Sequence, residues 1–136
     1  MPAEPGWLDL DDIRYIHDEQ LELFGGEYGV LDIGLIESGL NAPRQTYNWT
    51  GEDDVLVLAV ELGVSLAKNH GFVDGNKRTG VVAMVAFLNK NGFDLQMKND
   101  RSLGRLVERV LERKMNEADL VAMLDSRVVE LGQTGF

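Results

Sequence analysis

Between residues 70 and 79 the chain reads His-Gly-Phe-Val-Asp-Gly-Asn-Lys-Arg-Thr, with an imidazole, a carboxylate, an amide and two cations in one short stretch. His70 carries an imidazole, which can take a proton from a reacting hydroxyl. Asp74 offers a hard oxygen, the ligand a phosphate-bound Mg²⁺ takes alongside water. Gly71 and Gly75 allow tight turns and close approach of a ligand. Where the stretch runs into a helix, its last backbone N–H groups and the positive helix end face whatever docks there. With Lys77 and Arg78 they form an anion cradle. Base, metal ligand and cradle together suit transfer of a phosphate-containing group. The stretch is not a Walker A loop, which needs four residues between its first glycine and its GK pair. Here Gly71 and Gly75 enclose three, Asn76 precedes Lys77, and no strand leads in. Taken singly, Asn76 reads as a cap, Lys77 and Arg78 as surface charge, and His70 as a backbone-bonded histidine. The combination is what points to chemistry.

The elements that must position this stretch are helical. After Asp9 or Asp11 as a cap, Ile13, Ile16, Leu21 and Phe24 recur at helix spacing until Gly25-Gly26, with His17 on the same stripe. A second helix begins at Asp32 and carries Ile33, Ile36 and Leu40 inward. It is expected to end near Ala42, because Pro43 disfavours helical geometry before it. Pro43 to Trp49, with Arg44, Tyr47 and Trp49, then reads as an exposed loop or short hairpin. Thr50 and Asp53 have capping-box spacing for a third helix. That helix carries Val55, Leu58, Ala59, Leu62 and Leu66 inward and runs to about Asn69. Thr79 to Leu88 is apolar all round, which suits a central helix buried on every side and closed by Gly92. Phe93 to Lys98 reads as a short strand or connector. Leu103, Leu106, Val107, Val110 and Leu111 mark a fifth helix, with Arg113 and Lys114 in its last turn. Asn116 and Asp119 open a sixth, with Leu120, Met123, Leu124 and Val128 inward and Gly132 at its end. The expected fold is all-α, a six-helix single domain over 1–136 with at most a trace of sheet.

Length and charge limit what this domain can do. A 136-residue chain buries a sizeable core without staples, and with no cysteine it has no disulfide framework, zinc finger or thiol nucleophile. Asp and Glu number 23 against 13 Lys and Arg, for a net charge of −10. Such a field repels phosphate, which excludes patch-driven binding to nucleic acid or anionic membranes and makes any phosphate chemistry local. The longest apolar run, Val55 to Ala67, is interrupted by Glu61 and falls short of the roughly 20 residues that span a bilayer. The N-terminus lacks the basic flank and apolar core of a signal peptide. A cytoplasmic location is expected.

The decamer resembles the signature of the Fic/Doc (Fido-domain) family, HxFx(D/E)(G/A)N(K/G)R, with His70, Phe72, Asp74, Gly75, Asn76, Lys77 and Arg78 all in register. Ile16-His17, Gly25-Gly26, Gly29-Val30, Leu40 with Pro43, Phe87-Leu88 and Asn91-Gly92 extend the likeness toward the death-on-curing (Doc) branch, over roughly residues 13–95. The resemblance implies a Fido-type helical bundle with a small flap, and a toxin held in check by a cognate antitoxin. The implied activity passes a phosphoryl group from ATP to a hydroxyl of a translation protein, elongation factor Tu in the known branch. By position, His70 would be the base, Asp74 the Mg²⁺ ligand, Gly75, Asn76, Lys77 and Arg78 the phosphate holders, and Phe72 the loop anchor. Pro43 to Trp49 would match the flap that lines up the target as an added strand.

Nucleotidyl-transferring relatives usually have a glycine where Lys77 stands and a second arginine where Val81 stands; Gly75 is the choice they share. Lys77 and Val81 are expected to narrow the far end of the cradle and leave it one charge short, so the triphosphate enters reversed, γ-phosphate nearest His70 and Asp74. The alternatives are nucleotidyl transfer with the opposite orientation, or an idle nucleotide- or partner-binding module. Gly71 replaces a common proline, which bears on loop stiffness. Of the family's inhibitory helix only Ser126 and Glu130 come near, so inhibition by a separate antitoxin is expected, with basic or amphipathic helical residues to match the −10 charge. His17 is read as a satisfied, part-buried histidine, and Trp7, Tyr15 and Trp49 as core, rim or target contacts. The charges at Asp9 to Asp12 and Arg109 to Lys114 are read as solvated faces.

Overall fold

Helix α1, Leu10–Phe24, starts where Asp9 and Asp12 exchange side-chain-to-backbone hydrogen bonds across the first turn, at 2.8 and 2.9 Å. It buries Ile13, Ile16, His17, Gln20 and Leu21, a single stripe at three- and four-residue spacing. The structure is a computed structural model and describes residues 4–132. Among the described residues there are six α-helices and one two-stranded sheet, as the apolar periodicity implies.

Helix α2 departs from expectation. Capped by Asp32, it runs Ile33–Thr50 with Pro43 inside it and ends at Gly51 in the left-handed region. Pro43 lacks the N–H that would close a helical bond, a defect of about 3 kcal/mol in a helix interior. The helix survives because Ile36, Gly39 and Pro43 form one buried face packed on the next helix. The segment 43–49 is therefore helix, neither loop nor hairpin. This also removes the Thr50–Asp53 box: the Thr50 hydroxyl donates to the Thr46 carbonyl (2.7 Å), and helix α3, Val55–Asn69, is capped by Asp54.

Helices α3 and α4 (Asn76–Lys90) form the centre, in contact through the backbone itself. A Cβ at Gly80 would collide with the carbonyl oxygen of Gly63, so only glycine permits this approach. Leu58, Ala59, Val60, Ala83, Met84 and Phe87 between them are fully buried. Trp7 seals one end, its ring 5.7 Å from Phe87 and 5.8 Å from Tyr47.

Strand β1, Phe93–Leu95, pairs antiparallel with β2, Val128–Glu130. Helix α5, Asp100–Leu111, ends before Arg113 and Lys114, leaving Arg109 as the cation of its last turn. Helix α6 is capped by Asn116 and Asp119 as expected but stops at Leu124, far short of Gly132. Val128 belongs to β2 because Leu95 and Gln96 offer it a strand partner that a continued helix would forfeit.

Candidate functional site

The decamer forms the turn between the two central helices, and it is built almost without freedom. His70 closes α3 in the left-handed conformation (φ 51°, ψ 48°), a strained choice for a side-chain-bearing residue that costs on the order of 1 kcal/mol. Gly71 then slips beneath the start of α2: a Cβ there would collide with Ile36 and lie 3.2 Å from the Asp32 carbonyl oxygen. A proline at 71 would meet the same wall, so the glycine reflects close packing rather than loop stiffness. Phe72 is buried, its ring stacked on His17 at 3.7 Å between centroids and 8° between planes. His17 Nε2 donates to the Asp74 carbonyl at 2.7 Å, and with 2% exposure it is the satisfied histidine its sequence context implied. The buried Asn76 side chain closes the loop: Oδ1 accepts from Phe72 N–H (3.0 Å) and Nδ2 donates to the Phe72 carbonyl (2.9 Å). Those bonds commit one N–H and one lone pair of the amide to the loop. Thr79 is fully buried, its hydroxyl unpaired.

The loop delivers its charges to the surface. Helix α4 has glycine at its cap and no side-chain cap; its first helical bond runs from Thr79 N–H to the Gly75 carbonyl (2.9 Å). The N–H groups of Asn76, Lys77 and Arg78 thus lack intrahelical acceptors and face outward with the positive helix end. The exposed Asp74 carboxylate accepts from Gly75 N–H (2.8 Å) and Glu27 N–H (3.3 Å). Those two bonds, the first above all, with the Arg78 charge behind them, hold its carboxyl below the ordinary aspartate range. Arg78 donates to the Gly25 carbonyl at 3.0 Å and lies over the Phe24 ring. Lys77 turns instead to Glu108 of α5, at 3.3 Å. His70 is exposed, with no side-chain partner among the described residues.

Beyond Lys77 and Val81 the chain is open, against the expectation of a narrowed, charge-poor cradle. A cleft of about 510 Å³ lies between α1, α4 and α5, lined by Lys77, Arg78 and Val81 and also by Arg101 and Arg105. Lys77 reaches Glu108 of α5, which also lines the cleft, at 3.3 Å. Arg101 and Arg105 were missed because, in a sequence rich in charge, their i, i+4 spacing is that of any solvated helix face.

The segment against the decamer is 25–32, not 43–49. Leu31 N–H and Asp32 N–H donate to the Gly71 carbonyl (2.8 and 3.1 Å), and Val73 N–H donates to the Gly29 carbonyl (3.0 Å). These bonds flank Val30 opposite Phe72 in an isolated antiparallel bridge. In such a pair the N–H and C=O of Val30 point away from Phe72, leaving a strand edge with no backbone partner among the described residues. Val30 and Leu31 are exposed on it. Its signal in the sequence was Gly25-Gly26 and Gly29-Val30, masked by the stronger proline at 43. Trp7 is partly buried and packs against the core, whereas Tyr15 and Trp49 are exposed. Ser126 and Glu130 fall in a 3₁₀ turn and in β2, so they do not share an inhibitory helix.

Comparison with known proteins agrees with this geometry. The chain is 37% identical over 109 residues to Toxin Doc of Mycolicibacterium smegmatis, spanning 79% of each. It is 27% identical over 100 residues to Protein kinase doc of Escherichia phage P1, spanning 71% of this chain and 79% of that one. The Fic/DOC family profile matches residues 7–88, which take in α1 to most of α4 and the whole motif loop. With the signature residues gathered on that loop, this chain belongs to the Fic/DOC family.

Proposed function

We propose that the chain is a toxin of a toxin–antitoxin pair that phosphorylates a Ser or Thr hydroxyl of a translation protein, elongation factor Tu being the first candidate. The observation that carries this reading is the assembly on one loop of an unpartnered His70, an ionised Asp74 and the uncapped start of α4. The printed names of the two relatives, a Doc toxin and a Doc protein kinase, point the same way. The target oxygen bonds to the γ-phosphorus of ATP, the bridge to the β-phosphate breaks, ADP leaves, and the hydroxyl proton passes to His70. His70 acts as the base, a role worth about a hundredfold to ten-thousandfold in rate. Gly75, Lys77, Arg78 and the Asn76 N–H orient the phosphates and offset their charge. Phe72, clamped by His17, keeps the loop in place.

No group of three metal-ligating side chains occurs among the described residues. A lone exposed carboxylate suits Mg²⁺, which keeps several waters and shares phosphate oxygens. Asp74 would hold it, and the ion would neutralise charge on the transferred group. The edge at Val30, opposite Phe72 of the motif loop, offers the target peptide strand-like pairing. An antitoxin segment entering the cleft must bring acidic or apolar groups, since cations line it; basic ones belong on the acidic surface around it. No helix among the described residues is long and apolar enough to cross a membrane. We read the 136 residues as one catalytic domain acting in the cytoplasm, where translation factors are met.

The test is transfer of label from ATP to protein in cell extract. One protein should be labelled from γ-labelled ATP and none from α-labelled ATP, and His70→Ala should abolish labelling while nucleotide still binds. The open cationic cleft also has room for a β,γ-diphosphate, so label from α-labelled ATP would establish nucleotidyl transfer instead. Nucleotide binding without any transfer would establish the idle binding module.

A further inference from the structure

We propose that His17 is a positioning residue for the transfer chemistry. By holding the Asp74 carbonyl it fixes the plane of the Asp74–Gly75 peptide, and so aims the Gly75 N–H at the reacting side of the loop. This rests on the transfer reading above and extends it to a helix outside the signature. From α1, the His17 ring meets the loop at Phe72, Asp74 and Gly75. It is stacked on Phe72, its Nε2 donates to the Asp74 carbonyl at 2.7 Å, and its Cδ2 lies 3.6 Å from where a Gly75 Cβ would stand.

The stack alone does not call for a histidine, because a phenylalanine ring would face Phe72 equally well. What the imidazole adds is a ring N–H, and that N–H goes to the Asp74 carbonyl. The other ring nitrogen, Nδ1, stands 3.7 Å from Asp18 Oδ1, beyond hydrogen-bond reach. A peptide unit is planar and trans, so its C=O and N–H point in opposite directions. With the Asp74 carbonyl turned in toward α1, the Gly75 N–H is turned out, where it donates to Asp74 Oδ1 at 2.8 Å. That bond orients the carboxylate, and the same N–H leads the row that continues through Asn76, Lys77 and Arg78 at the start of α4. Gly75 sits at φ 78°. Turning the Asp74–Gly75 plane by about 180° would carry that φ to negative values, which glycine takes about as readily. The turned plane would point its N–H inward and set its carbonyl oxygen toward the Asp74 carboxylate and the phosphates. Asn76 already holds both polar backbone groups of Phe72, and the Gly29 carbonyl holds Val73 N–H. On the Asp74 carbonyl, the hydrogen bond from His17 is the only one among the described residues.

The experiment compares His17→Phe, which keeps a stacked ring and loses the donor, with His17→Gln. Glutamine loses the ring but keeps a donor nitrogen as many bonds from Cβ as Nε2 is. In the ligand-free full chain, residual dipolar couplings of weakly aligned protein report the direction of the Gly75 N–H. Transfer of γ-label from ATP to protein in cell extract reports the rate. In His17→Phe the Gly75 coupling should change while those of α1 and α3 stay as in wild type. Its transfer should fall about tenfold, the ratio that one hydrogen bond commands. His17→Gln should melt lower than His17→Phe, yet keep the wild-type Gly75 coupling and transfer faster. A merely structural histidine would make transfer follow melting temperature, so the reverse order of rates overturns the proposal. A wild-type Gly75 coupling in His17→Phe overturns it equally, and decides alone should His17→Gln fail to fold. Absence of transfer by the wild-type protein would instead refute the transfer reading, with the couplings still deciding whether His17 holds the plane.

Discussion

Replacing Asn76 by alanine separates its two available roles, holding phosphate and holding the loop. In the folded protein its amide satisfies both the N–H and the C=O of Phe72, at 3.0 and 2.9 Å, in a buried setting. Alanine leaves those two backbone groups unpaired, at about 1–3 kcal/mol each. A combined loss of roughly 2–6 kcal/mol is a large share of the 5–15 kcal/mol that stabilises a typical domain. For a chain of this size it corresponds to a fall of roughly 10 °C in melting temperature. Thermal unfolding followed by circular dichroism measures it, and hydrogen exchange should show the Phe72 amide losing protection. Asn76→Asp sharpens the test. The introduced carboxylate keeps the acceptor for Phe72 N–H but faces the Phe72 carbonyl without a proton to donate. Burial and that facing oxygen raise its folded pKa above about 3.9. A raised folded pKa gives stability present at low pH and lost as pH rises through it, so this variant should fall further below wild type at pH 7 than at pH 4. An Asn76→Ala protein with unchanged melting temperature and lost nucleotide binding would refute the loop-holding role and return Asn76 to the phosphates.

His17→Ala removes the ring stacked on Phe72 and the bond to the Asp74 carbonyl, and should cost about 2–4 kcal/mol in thermal unfolding. His17→Phe should recover most of that stability without the bond; equal transfer rates in His17→Phe and wild type would show that the bond does not position Asp74. Because backbone N–H bonds depress the Asp74 pKa, its carboxyl should titrate below 3.8 by carbon NMR. The stabilisation it gives is complete above the ordinary aspartate range and lost as pH falls through that depressed value, and a midpoint above 3.8 would contradict the Gly75 and Glu27 contacts. Gly26 lies at φ 128°, and a Cβ there would be 2.8 Å from Asp74 Oδ2. Gly26→Ala should fold yet displace that carboxylate and weaken Mg²⁺-dependent ADP binding, with an unchanged titration counting against the contact.

The spacing of apolar residues was enough to determine five of the helix cores, because burial of a stripe at 3.6-residue period is a local property of the chain. The motif was equally legible, since His70, Phe72, Asp74 and Asn76 to Arg78 are contiguous, and contiguous residues stay together in any fold. The failures came where distant residues outvoted local preference. Pro43 predicts a helix end, but the face it shares with Ile36 and Gly39 is buried on α3, and tertiary burial outweighed the missing N–H. Once α2 ran through 43–49, the strand edge beside the motif had to come from elsewhere, and Gly71 admitted the start of α2 and segment 25–32 against the loop. Val128 left its helix for β2 because β1 was there to pair with it. The cationic cleft depended on tertiary structure most of all. Arg101 and Arg105 sit more than twenty residues from Lys77 in the sequence, and only the packing of α5 on α4 turns ordinary helix-face charges into the wall of a cleft.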